Sequence, residues 1–157
     1  MCGIVGYYGT KDAIPILING LKRLEYRGYD SAGIAVTNDS SINFLKKAGK
    51  VNQLETELMD STLRGNIGIA HTRWATHGEP NDVNAHPHLD HTDSIAMIHN
   101  GIIENHDVLK SALEKEGIEF SSETDSEVLV QLISSLYKND GLNFSDAVRA
   151  ALQEVVG

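Results

Sequence analysis

Met1-Cys2-Gly3-Ile4-Val5-Gly6-Tyr7-Tyr8-Gly9 opens the chain and holds its only cysteine. The apolar run from Ile4 to Tyr8 reads as a short buried strand, which would hold the terminus inside the fold where most chain ends fray. Cysteine is small enough for Met1 to be trimmed off in a cell. Trimming would leave a thiol and a free α-amine on one residue, with reference pKa values of about 8.5 and about 7.7–8.0. The amine is then a built-in base for the thiol, a nucleophile–base pair that needs no histidine or aspartate. The competing reading of a lone cysteine is an inert small hydrophobe in a core.

Working outward, Ile14, Leu17, Ile18, Leu21 and Leu24 recur at helical spacing. They predict a helix from Asp12 to about Tyr26, with Pro15 in its first turn and Gly28 beyond its end. Ala32–Thr37 and Ile42–Lys46 read as a hairpin around the turn Asn38-Asp39-Ser40-Ser41. A helix is expected from Val51 to Leu63, a strand from Asn66 to Thr72, and another from Ser94 to His99. Between them, Arg73–Thr92 is polar, lacks periodicity and carries Pro80 and Pro87; a loop this long is usually functional. Three helices close the chain, capped by Asn105, by Thr124 or Asp125, and by Ser145. Val128, Leu129, Leu132, Ile133, Leu136 and Tyr137 form the apolar face of the second. Strands mixed with helices, with hairpins expected between neighbours in sequence, place the chain in the α+β class.

At 157 residues the chain is one domain's worth, long enough to bury a core. The net charge of −9 argues against nucleic acid or an anionic membrane as partner. One cysteine excludes an internal disulfide framework. No signal peptide and no run of membrane-spanning length is present, so a cytoplasmic protein is expected.

All seven histidines fall between His71 and His106. Their spacing matches no zinc signature, so hydrogen bonding within loops is preferred to a metal site. Arg73 follows a strand end and has the fork geometry for a carboxylate; the alternative is a surface salt bridge. Trp74, the only tryptophan, is either core or the plug of an opening. Asn100-Gly101 is either a hairpin turn or a pair of donors, side-chain amide and backbone N–H, for a developing oxyanion. Asp125 is a helix cap or the partner of a substrate ammonium.

Taken together, these segments resemble the class II glutamine amidotransferases, which use an N-terminal nucleophile. The stretches that carry the resemblance are Cys2-Gly3-Ile4-Val5-Gly6, the Leu24–Gly33 segment LEYRGYDSAG, His71–Pro80 as HTRWATHGEP, Asn84–His88 as NAHPH, and His99–Asn105 as HNGIIEN. Within that class the wording around Arg73 and Trp74 is similar to the glutaminase domains of the glucosamine-6-phosphate synthases. The resemblance implies the αββα four-layer sandwich of N-terminal-nucleophile hydrolases, here incomplete at its C-terminal end, over a single truncated amidotransferase domain spanning residues 1–157. It implies Cys2 as nucleophile, with Asn100 and Gly101 as the oxyanion hole. It implies Arg73, Thr76, His77 and Asp125 as binders of glutamine, and Trp74 as the gate of an ammonia channel. The implied reaction is glutamine hydrolysis through a cysteinyl thioester, with ammonia passed to fructose 6-phosphate on isomerase domains absent from this sequence. It calls for no cofactor and no metal, and implies a homo-oligomeric full-length enzyme. The alternatives are the glutaminase of another amidotransferase, or a glutamine-binding module without turnover.

Overall fold

The computed structural model describes residues 1–38, 41–75, 78–139 and 141–157. Its larger sheet has four strands in the order β1-β4-β2-β3, all neighbours antiparallel. These are β1 (Gly3–Tyr8), β2 (Ser31–Thr37), β3 (Ile42–Ala48) and β4 (Ile67–Arg73). Among the described residues the terminal strand β1 is an edge strand with one paired side. Its burial alternates, Gly3 buried and Ile4 exposed, which corrects the expectation of a fully buried strand. The central strand β2 is buried from Ser31 to Val36, because both of its faces are covered.

One face is covered by α1 (Ala13–Leu24) and α2 (Val51–Asp60). Asp12 caps α1 by accepting from the Ile14 N–H. Leu17, Leu21, Leu54 and Val51 from these helices pack on Ala32, Ile34, Val36 and Ala70 from the sheet. The alternation is strict: positions 32, 34 and 36 face the helices, and the residues between them face the other way. The α1 helix tightens into a 3₁₀ turn at Glu25–Arg27 and ends at Gly28, whose φ of 76° suits glycine.

Against the other face lies a short second sheet, β5 (His88–Leu89) paired with β6 (Ala96–Met97). Lys46 of β3 reaches across to the loop that precedes it, donating from Nζ to the Val83 carbonyl at 2.8 Å. Beyond this sheet lie α3 (His106–Lys115), α4 (Asp125–Lys138) and α5 (Phe144–Glu154). Ile133, Leu129 and Val130 of α4 pack with Ile95, Ile103 and Ala151. The layers thus run helix, sheet, sheet, helix, the αββα order, with two strands in the second sheet among the described residues.

Several local expectations shift. The α2 helix stops at Asp60, since Ser61 is extended at ψ 158°, and does not reach Leu63. The Ser94–His99 strand shrinks to Ala96–Met97, and the Arg73–Thr92 loop contains β5. Asn143, not Ser145, caps α5, accepting from the Asp146 N–H at 3.0 Å. Asn105 precedes α3, but its side chain is spent on the chain's end, donating to Glu154 O and accepting from Val156 N. Tyr137 is not part of the buried face of α4; it is 41% exposed. Of the predicted turn Asn38–Ser41, Asp39 and Ser40 lie outside the described residues.

Candidate active site

The β1–β4 register sets Gly3 opposite Thr72 and Ile4 opposite His71. Val5, Tyr7 and Ala70 belong to the helix-side core, so Cys2, His71 and Arg73 project from the opposite face. Gly3 permits the close fit at this corner. A Cβ there would stand 2.7 Å from Leu24 Cδ1 and 2.8 Å from Thr72 Oγ1. On the open side is a cavity of about 390 Å³ lined by Cys2, His71, Arg73, Trp74, Asn100, Gly101 and Asp125. Met1, Arg27, His86, His99, Ile102, Thr124 and Ser126 complete its wall. Small-molecule pockets span about 300–1,000 Å³, so the volume suits a compact metabolite.

Cys2 Sγ accepts the Trp74 N–H at 3.3 Å and lies 3.8 Å from the Trp74 carbonyl, to which it donates. The α-ammonium of Met1 donates to the carbonyls of Arg27, at 3.0 Å, and Gly28, at 2.9 Å. With Met1 in place the nitrogen of Cys2 is an amide. Trp74 is 54% exposed, which sets aside a core role; its ring lies against the backbone of Gly28.

Arg73 is 4% exposed and donates from Nη1 to the Glu79 carbonyl at 3.5 Å. That burial rules out the surface salt bridge. Burial lowers the guanidinium's pKa, and the neighbouring Asp30, Cys2 and Asp125 act against that shift. Asp125 is 5% exposed at the first turn of α4, and its Oδ2 accepts the Ile103 N–H at 2.8 Å. It does not cap its own helix; Thr124 holds the cap position. A buried cation and a buried anion therefore share one cavity, which suits an amino acid's carboxylate and ammonium.

Asn100-Gly101 is not a hairpin turn, since β6 has ended at Met97 and the next element is α3. Asn100 Oδ1 meets His71 Nε2 at 2.7 Å. Thr76 and His77, also expected here, lie outside the described residues.

Sequence reasoning assigned no task to Asp30, which fastens both sides of Trp74. Its Oδ2 accepts the Ala75 N–H at 2.6 Å, and its own N–H donates to the Arg73 carbonyl at 2.8 Å. An acidic residue in a glycine-bearing loop just before a strand was the available signal. The histidine cluster also has a structural meaning. The rings of His71 and His86 pack at a tilt of 46° with centroids 4.5 Å apart, and those of His86 and His88 meet edge to face at the same distance. Burial lowers the pKa of His71 to about 4, its bond to Asn100 acting against the shift. His86 and His88 are likewise lowered, first by burial and then by a close neighbour, His88 for His86 and Lys46 for His88. His71 and His86, which line the cavity, are thus neutral imidazoles.

The family of the glutamine amidotransferase domain matches residues 56–146 of this chain. Glutamine–fructose-6-phosphate aminotransferase (isomerizing) of Bacteroides thetaiotaomicron is 56% identical over 158 residues, spanning 100% of this chain and 26% of that protein. The protein of the same name from Chlorobaculum tepidum is 58% identical over 162 residues, with the same two shares of 100% and 26%. The chain therefore spans about a quarter of the length of these curated relatives. Among solved structures, glutamine phosphoribosylpyrophosphate amidotransferase from B. subtilis, complexed with ADP and GMP, superposes with a TM-score of 0.82 at 28% identity. That match covers 100% of this chain and 33% of the other.

Proposed function

The chain belongs to the glutamine amidotransferase family, and from that premise we propose that its cavity hydrolyses glutamine to glutamate and ammonia through a thioester on Cys2. The observation that carries this reading is the convergence of Cys2, Arg73, Asn100, Gly101 and Asp125 on one cavity. Arg73 takes the α-carboxylate of glutamine and Asp125 the α-ammonium, which fixes the side-chain amide against the sulfur. Thr76 and His77 are assigned to the same binding task from the sequence. Cys2 Sγ bonds to the amide carbon, and the Asn100 amide and Gly101 N–H stabilise the negative oxygen that forms. The thiol proton passes to the α-amine of Cys2 and on to the leaving nitrogen, so ammonia departs neutral. Water then cleaves the thioester, releasing glutamate and restoring the thiol.

Trp74, exposed at the rim and resting on Gly28, is assigned as the gate for departing ammonia. In the longer protein the acceptor is fructose 6-phosphate, a reading supported by the names of the relatives that match the whole of this chain. Residues 1–157 act as its glutaminase unit, in a homo-oligomeric enzyme placed in the cytoplasm. No helix among the described residues is long and apolar enough to cross a membrane.

The base in this scheme is a free α-amine on Cys2. A chain that keeps Met1 has a peptide nitrogen there, and its ammonium sits on the Arg27 and Gly28 carbonyls instead. The test uses the full natural chain, with its first residue established by mass spectrometry. Trimmed protein should release glutamate from glutamine, and a Cys2→Ala variant should release none. Protein retaining Met1 should be inactive. Full turnover by either the Cys2→Ala variant or the Met1-retaining form sinks the mechanism.

A further inference from the structure

Resting on the reading that Asn100 stabilises the oxyanion, we propose that His71 is its positioning residue: the imidazole N–H fixes which end of the Asn100 amide faces the substrate. The two ends of an asparagine amide are nearly the same size but opposite in function, one donating and one accepting. Packing alone discriminates poorly between them. Only one orientation stabilises negative charge; its reverse would turn a carbonyl oxygen toward the oxyanion.

In the structure Asn100 Oδ1 is occupied by His71 Nε2 at 2.7 Å. An amide oxygen only accepts, so Nε2 carries the proton and Nδ1 is bare. The remainder of the imidazole agrees, since Nδ1 is buried and has no hydrogen-bond partner among the described residues. The ring itself has little freedom. His71 is 0% exposed in the middle of the sheet, and the His86 ring packs against it at a tilt, centroids 4.5 Å apart. A rigid donor holding Oδ1 leaves the Asn100 NH₂ as the group presented to the cavity. His71 touches neither sulfur nor substrate in this scheme; it acts through Asn100.

Four variants of the full, trimmed chain test this: Asn100→Ala, His71→Met, His71→Gln and the double change His71→Met with Asn100→Ala. Removing one oxyanion donor costs on the order of 10²–10³ in kcat, so His71→Met should lose about 10²-fold in kcat. KM for glutamine and inhibition by glutamate should stay within about threefold, because ground-state binding is untouched. His71→Gln places an amide N–H near the position of Nε2 and should recover most of the rate. On the Asn100→Ala background, His71→Met should cost no more than about twofold, since the donor it orients is already gone. An undiminished kcat in His71→Met overturns the proposal, as does a loss that appears in KM or is fully additive in the double variant. Should His71→Met not fold, His71→Gln against His71→Asn decides: the shorter asparagine cannot reach Asn100, and equal rates refute the inference. A parent without glutaminase activity, or an Asn100→Ala variant at parental rate, refutes instead the assignment of the oxyanion hole.

Discussion

At Asp125 charge can be removed without changing shape. Its Oδ2 accepts the Ile103 N–H, and the carboxylate shares the cavity with Arg73. Asp125→Asn keeps an acceptor for that N–H but removes the charge that would hold a substrate ammonium. Steady-state kinetics should show KM for glutamine rising about 10- to 100-fold, the value of a charge-assisted hydrogen bond. The thermal midpoint should move by only a few degrees, and an unchanged KM would remove Asp125 from the binding role. Residues of this kind were legible in the sequence because their chemistry has few substitutes: a lone terminal cysteine, an arginine past a strand end, an Asn-Gly pair. His71 and Asp30 were not, since their work depends on partners distant in the chain. His71 meets a residue 29 positions away, and Asp30 one 45 positions away.

Among the elements, the small β5–β6 sheet is tied to α4 by one carboxylate. Asp90 accepts from the N–H groups of Ser94 and Ile95, at 2.8 and 2.7 Å, and so shapes the turn between the two strands. It also accepts from Ser134 Oγ and Lys138 Nζ on α4, each at 2.7 Å. Burial would raise its pKa, but the bonds from Lys138, Thr92, Ser134 and Ile95 outweigh it and hold the carboxyl well below the usual range. Asp90→Asn should cost about 1–3 kcal/mol, the penalty of leaving buried hydrogen-bonding groups without their charged partner, read as a lower urea midpoint. A loss under about 1 kcal/mol would show the strands hold without it. Helices were legible to within a few residues because α1, α2 and α4 repeat over several turns. The strands β5 and β6 were not, for two residues each are too few to show alternation. The cap of α5 was misplaced because Asn143 and Ser145 are equally good capping types two positions apart.

For the molecule as a whole, the buried histidines make acid the sensitive direction. His71, His86 and His88 have folded pKa values below the ordinary 6.5. Between the folded and unfolded values the unfolded chain binds more protons, so stability falls as pH falls below about 6.5. Each histidine kept neutral contributes a slope of up to about 1.4 kcal/mol per pH unit. For His71 this ends near pH 4, its folded value. The depressed carboxyl of Asp90 has the same sign at lower pH, its contribution present above the ordinary 3.8 and lost as pH falls toward its folded value. Urea midpoints should therefore drop steadily from pH 6.5 to 4.5, and a flat profile there would mean these rings are solvated or charged. The α+β class was legible from the order of strands and helices, and the layering only through the resemblance to the class II glutamine amidotransferases. That the terminal strand sits at an edge was not, because its apolar run reads the same with one neighbour or two.

That edge position has a consequence for the newborn chain. Among the described residues β1 pairs only with β4, whose first residue is Ile67. At a translation rate of about 5–20 residues per second, its partner leaves the ribosome several seconds after it does. During that delay the first residues dangle without a docking place, open to an aminopeptidase, and only afterwards does the sheet close around them. On the proposed mechanism, this order of strands leaves time for Met1 to be removed before the sheet forms.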